Sequence, residues 1–322
     1  MRIGRATSIL LSLSLVGAAW ADAHAQTPES QTGACATPDA VTCLGESLAA
    51  EAEADTFGAV VVVSVDGEVA LAEGYGLQAS GEPYTADTPF DIASLGKMFT
   101  GVAVAQLVEA GEVSLADRAG AYVADLPVGV TDATVEQLLT HTSGLGDSID
   151  EGIVGETGVF RYTNAGYDVL ARVVEAVSGQ SFSEYLAERV FEPAGMSDTS
   201  LPPAAPGEDP IGWGGETSTG PDLLRFVDAL LDDRLMGAAA SDLVIAPHVE
   251  TDHGSHYGYG FEVFGDPAER SSFGHWGGDF PFLGWVNSSH SLGITLIALC
   301  DRGCDAMGGS VIEFVETVGL SA

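Results

Sequence analysis

Strand-like segments stand at both ends of this 322-residue chain and helix-like segments fill the interval. Near the start, residues 59–65 form a β-branched run, Asp66-Gly67 reads as a hairpin turn, and residues 68–75 return as a second strand. Near the end, residues 258–264, 285–288 and 293–299 read as strands, and a helix from about residue 309 to 318 closes the chain. From about residue 115 to 250 helical signals dominate. Thr134 to Gln137 is a capping box, and residues 164–177 have helical spacing that stops before Gly179. Residues 183–190 are amphipathic, and Thr219 with Pro221 opens a helix to Leu231. No internal repeat is present. A strand must pair with another strand, so this order predicts one sheet completed by distant parts of the chain, with a helical insertion.

The first residues stand apart from that plan. A short basic lead (Arg2, Arg5) precedes an apolar run from Ile9 to Trp20, and Ala23-His24-Ala25 follows. This predicts a secretory signal peptide over residues 1–25, cleaved after Ala25, because the run is short for a membrane span. No other segment reads as transmembrane. The folded product is therefore expected in the periplasm or the medium. Residues 26–43 are rich in Thr, Gly, Pro and Ala and read as a tether or loop; a helix is expected from about Leu44 to Glu53, opening a domain over 44–322. Cys35, Cys43, Cys300 and Cys304 suit disulfides in such a compartment, and four cysteines allow three pairings. Metal binding is not expected of them, since they form no CxxC pair and no histidine is near.

Lysine and arginine total 11 against 47 aspartates and glutamates, a formal charge of −36. A surface this acidic repels nucleic acid and anionic membrane, which excludes both as expected partners. Lys97 is the single lysine of the chain.

That lysine lies three residues after Ser94, close enough on one turn of helix for the amine to reach the hydroxyl. A serine becomes a nucleophile when a base removes its proton, and a lysine kept neutral by burial and by the positive end of a helix is such a base. Tyr162-Thr163-Asn164 offers a phenol that exists as phenolate or relays a proton, and an amide that can hold a substrate carbonyl and the lysine. Asn164 is equally placed to cap the helix that follows. Gly274-His275-Trp276-Gly277-Gly278 suggests backbone N–H groups close to a ligand oxyanion, with His275 as a switchable donor beside it.

In this order the three elements resemble the family of serine β-lactamases, D-alanyl-D-alanine carboxypeptidases and related esterases, most closely the class C β-lactamase branch. The resemblance spans about residues 45–320. It is carried by Phe90 to Lys97, Leu138 to Leu145, Tyr162 to Tyr167, Phe191 to Met196, and Gly214-Gly215 with Ser218-Thr219. It implies an α/β (α+β) fold in which an antiparallel sheet is flanked by helices and carries the helical subdomain. It further implies Ser94 as nucleophile, Lys97 with Tyr162 as base and proton relay, and Asn164 on the substrate amide. The Ser94 and Gly278 N–H groups would form the oxyanion hole, with His275 and Gly277 on the flanking strand and neither metal nor cofactor. His141 would be a capping or core histidine.

Two departures shape the expected substrate. The third motif reads His275-Trp276-Gly277 where class C β-lactamases have Lys-Thr-Gly, which argues against efficient β-lactam hydrolysis, and Trp276 removes a hydroxyl that family members often use to hold a substrate carboxylate. Residues 279–285 are unusually aromatic and with Trp213 would line an apolar pocket. The expected activity is hydrolysis of small esters or D-amino-acid peptides, with a D,D-carboxypeptidase or weak β-lactamase as the alternative. A non-catalytic penicillin-binding or scaffold homologue is the alternative from another class.

Overall fold

The computed structural model describes residues 40–53, 57–266, 272–279 and 282–320. The expected signal peptide and most of the expected tether lie outside these residues. The final residues of that tether are helical instead: helix α1 is Ala40–Glu53, and its Ala40, Leu44 and Leu48 are buried.

Two strands open the domain, β1 (Gly58–Val65) and β2 (Glu68–Tyr75), joined by the turn at Asp66 and Gly67. Both turn residues have positive φ, 52° and 78°, as a two-residue hairpin matching the strand twist requires. Short β3 (Phe90–Asp91) pairs with β4 (Thr217–Ser218), and β5 (Val249–Glu250), β6 (His256–Tyr257) and β7 (Glu262–Phe264) follow. Three long strands finish the sheet: β8 (Ser272–Asp279), β9 (Phe282–Ser289) and β10 (Ile294–Arg302). The sheet has eight antiparallel strands in the order β2-β1-β10-β9-β8-β7-β6-β5. Strands from the early and late parts of the chain therefore pair side by side as its second and third strands, with Val62 opposite Ile297.

Both faces of β1 are covered, which is why its valines run on without polar alternation. Ala59, Val61 and Val63 pack with Trp285, Leu296 and Phe314 on the side of α1 and the last helix, while Val60 and Val62 join Leu95, Phe99 and Ile297 on the other. The larger cluster also takes in α2 (Gly96–Glu109), α3 (Val135–Leu139), α4 (Asn164–Ser178) and α5 (Phe182–Leu186). Thr134 and Gln137 close a reciprocal capping box at α3. Helix α6 (Gly220–Leu231) lies against the sheet: Gly220 has no room for a side chain beside Val60 and Val62. Thr217 and Ser218, just before this helix, pair with β3 in a separate two-stranded sheet. Helix α7 (Ala238–Val244) follows, and α8 (Cys304–Val318) starts five residues earlier than its glycines suggest. Cys300 and Cys304 are disulfide-bonded to each other across the β10–α8 junction, and Cys43 is disulfide-bonded as well.

Candidate active site

The nucleophile segment is a tight turn. Residues Ala93–Leu95 form one 3-10 turn leading into α2, so Ser94 and Lys97 face one another across that junction rather than along a helix begun at Ser94. Ala93 takes a positive φ of 45°, costly for a residue with a Cβ. Asp91 holds it there: its Oδ1 accepts the Ala93 N–H at 2.9 Å. The Ile92 and Leu95 N–H groups bond to the Glu216 and Ile92 carbonyls, whereas the Ser94 N–H has no partner among the described residues. It is therefore available to an incoming oxygen.

Lys97 is wholly buried, with its Nζ among the rings of Tyr162, Trp213 and Tyr167 at 4.8, 5.5 and 5.6 Å. Nζ lies 2.9 Å from Ser94 Oγ, 2.7 Å from Asn164 Oδ1 and 3.4 Å from the Trp213 carbonyl. A neutral amine has two N–H donors and one lone pair. In that state the two carbonyl oxygens can take the donors, which would leave the lone pair for the Ser94 hydroxyl. Burial holds the amine well below the ordinary lysine range, against the opposing pull of the Asp168 and Glu216 carboxylates. Asn164 is thus a partner of Lys97 and not the cap of α4; Thr163 occupies the cap position without a side-chain bond.

Tyr162 stands beside the Ser94–Lys97 pair, its ring centre 4.8 Å from Lys97 Nζ. Burial raises its pKa, the Ser94 hydroxyl partly offsets this, and the Glu262 charge adds to it. Tyr162 is therefore a neutral phenol, suited to passing a proton rather than to serving as phenolate. His141, itself at φ 58°, stacks 4.4 Å from the Tyr162 ring, and its Nδ1 accepts the Thr163 N–H at 3.3 Å. It is a core histidine that fixes the Tyr162 backbone.

The third motif lies within strand β8. On β8, His275 faces the site and is 3% exposed, too little to act as a free donor to substrate. Burial lowers its pKa to about 4, with Lys97 adding to the shift and Glu262 opposing it. The neutral ring donates from Nδ1 to the Trp276 carbonyl and accepts at Nε2 from Tyr257, 2.8 Å away. The switchable donor inferred from sequence is thus already committed within the protein. Trp276 points to the opposite face and stacks on its cross-strand partner Trp285 at 4.1 Å. Neither tryptophan lines the pocket of Ser94. Of the aromatics expected there, Trp213 reaches Lys97, and Phe280 and Pro281 lie outside the described residues. Gly277 is buried because the nucleophile turn rests on it: a Cβ there would lie 2.4 Å from the Ile92 carbonyl oxygen. Gly278 follows at the exposed end of the strand.

Asp168, Glu216 and Tyr257 also shape the site, though no local sequence pattern marks them. Burial raises Asp168 to about 6, while its bond from the Gly212 N–H at 3.0 Å and the Lys97 charge oppose the rise. The described residues contain no cluster able to hold a metal ion and no helix long and apolar enough to cross a membrane.

The β-lactamase family model matches residues 44–303. Penicillin-binding protein 4 of Amycolatopsis lactamdurans is 35% identical over 172 residues, 45% of either chain. Penicillin-binding protein 4* of Bacillus subtilis (strain 168) is 26% identical over 291 residues, 70% of this chain and 64% of that protein. The chain thus spans 45% and 64% of the length of these two relatives. Among solved structures, D-amino acid amidase from Ochrobactrum anthropi SV3 complexed with D-phenylalanine superposes with a TM-score of 0.74 at 21% identity, covering 87% of this chain and 99% of that one. SurE with D-Leu gives 0.74 at 23% identity, covering 88% and 76%. Likeness at these identities establishes the fold, and the match over most of the chain establishes more: this protein belongs to the β-lactamase family of serine hydrolases and penicillin-binding proteins.

Proposed function

We propose that Ser94 is the nucleophile of an acyl-transfer hydrolysis acting on small neutral esters or on D-amino-acid amides and peptides. The observation that carries this is the position of the buried Lys97 amine, with Nζ 2.9 Å from Ser94 Oγ and within reach of two carbonyl oxygens that can take its N–H groups. As Oγ attacks the substrate carbonyl carbon, its proton passes to Nζ, and the C–O bond to Ser94 forms while the carbonyl oxygen takes the electron pair. The Ser94 N–H and the Gly278 N–H of β8 would receive that oxygen. The ammonium then returns a proton through Tyr162 to the departing oxygen or nitrogen, whose bond to carbon breaks. Water attacks the ester left on Ser94 by the same route in reverse, which regenerates the hydroxyl and releases the acid.

The substrate class follows from charge. His275, in place of a lysine, is neutral above about pH 4 and bonded inside the protein. Trp276 packs on the far face. No motif cation is left to hold a terminal carboxylate, which favours neutral acyl compounds over peptides ending in D-alanine. A structural neighbour that is a D-amino acid amidase supports the same choice. The test is a comparison of turnover on a short-chain nitrophenyl ester, a D-amino-acid amide, a D-Ala-D-Ala peptide and a chromogenic cephalosporin. Turnover of the first two is expected; turnover of the last two alone would overturn the substrate reading. We also propose export, on the leader-like residues 1–25. A protein recovered outside the cytoplasm starting at Gln26 is expected, and an intact Met1 would refute it.

A further inference from the structure

One buried acid beside the nucleophile has no part in the chemistry above. Glu216 sits two residues after Gly214, next to β4, and its carbonyl accepts the Ile92 N–H at 3.1 Å. Its side chain is wholly buried, and neither carboxyl oxygen has a hydrogen-bond partner among the described residues. The carboxyl presses on Gly96, the residue midway between Ser94 and Lys97. A Cβ at Gly96 would lie 2.1 Å from Oε2 and 2.9 Å from Oε1, so the absence of a side chain there admits the acid. A buried carboxylate without donors is far costlier than a buried neutral acid, and an apolar side chain would fill the space at less cost.

We propose that Glu216 is a positioning residue that governs the protonation of Lys97, with hydrolysis running while Glu216 holds its proton and declining as it ionises. The inference rests on the Ser94–Lys97 reading of the site. A neutral acid leaves Lys97 free to be a neutral base. An ionised one draws Lys97 towards ammonium and opposes the negative charge that develops on Ser94 Oγ and on the substrate oxygen. The groups facing Glu216 are Lys97 from α2 and Asp91 from β3. Lys97 in turn faces Asp168 and Tyr162 from the α4 side, together with His141 and His275, both neutral. Burial raises Glu216 to about 8; its own backbone and Lys97 oppose the rise, and Asp91 adds to it. The transition thus falls in a range where activity can be followed.

The test is the pH profile of kcat/KM for ester hydrolysis by wild type, Glu216→Gln and Ser94→Ala from about pH 5 to about pH 10. Wild type should fall off on the alkaline side near pH 8. Glu216→Gln should move that limb upward by about one pH unit or more and leave the acid limb in place, because wild-type Glu216 is already uncharged there. A residue of purely structural importance would change the height of the profile and leave both limbs in place. Ser94-dependent activity with superimposable limbs would overturn the proposal. Wild-type hydrolysis that survives Ser94→Ala would instead overturn the function on which it rests. If Glu216→Gln fails to fold, wild-type protein carrying 13C at glutamate Cδ gives the answer by NMR. One carboxyl titrating near pH 8 is expected. Titration of every glutamate below about pH 6 would refute the proposal.

Discussion

Replacing Gly277 by alanine puts a methyl group where β8 supports the nucleophile turn. The new Cβ would stand 2.4 Å from the Ile92 carbonyl oxygen, 3.2 Å from Leu95 Cγ and 3.3 Å from the Leu95 nitrogen, where ordinary contact begins at 3.4 Å. Two of these three atoms are backbone, so a rotamer change cannot relieve the clash. The turn must retreat from the strand by about 1 Å, and Ser94 moves with it. Overpacking on this scale costs about 1–3 kcal/mol of stability. A 1 Å displacement of the nucleophile from Lys97 and the strand N–H lowers kcat by about 100-fold. The assay pairs ester turnover with urea unfolding. Gly309→Ala is the control: it lies inside α8 with nothing within 4 Å, and should gain about 0.5–1 kcal/mol with no change in rate. A Gly277→Ala protein with wild-type kcat and stability would refute the packing argument.

Other outcomes follow from the same structure. Exchanging Cys300 and Cys304 for alanines opens a loop with a sequence separation of 4 and should cost about 2 kcal/mol in denaturant unfolding; an unchanged midpoint would count against a structural role. The Glu216 carboxyl has a raised folded-state pKa, so between about pH 4.5 and about 8 the unfolded chain has lost a proton that the folded one retains. Its contribution therefore lowers stability as pH rises through that window. Glu216→Gln should flatten the decline by up to about 1.4 kcal/mol per pH unit, read as the difference between two urea titration series; parallel slopes would contradict it. Asp91→Ala removes the acceptor of the Ala93 N–H and should cost about 1–3 kcal/mol with a fall in kcat; Asp91→Asn should recover most of both.

The sheet was legible because β1 is mostly valine and the turn after it is Asp-Gly, signals that hold whatever surrounds them. The capping box at Thr134 and the helix after Thr219 were legible for the same local reason. Strand β8 was harder to read. Its glycines imitate a loop, yet Gly274 and Gly277 are glycine because a Cβ would meet the Val286 and Ile92 carbonyl oxygens, contacts that exist after folding and not before. Once β8 is known to be a strand, alternation puts His275 and Trp276 on opposite faces, and Trp276 leaves the site. Asn164 shows a local rule losing to a distant partner: it has the chemistry of a cap, but the Lys97 amine 67 residues away takes its oxygen. Glu216 had no local signal, as one acid among 47 acidic residues. Its burial depends on Gly96, 120 positions earlier. The approach of Lys97 to Ser94 was legible because lysine occurs once and stands three residues after a serine.

The central claim is that Ser94 becomes acylated, and intact-mass spectrometry tests it most directly. Wild type and Ser94→Ala would be mixed with a penicillin and with a slowly hydrolysed ester or serine-reactive phosphonate, and their masses followed over time. The account predicts a single adduct on wild type, none on Ser94→Ala, and loss of the phosphonate adduct on Lys97→Ala. An adduct of the same mass and rate on Ser94→Ala, or none on folded wild type with any of the reagents, would contradict it.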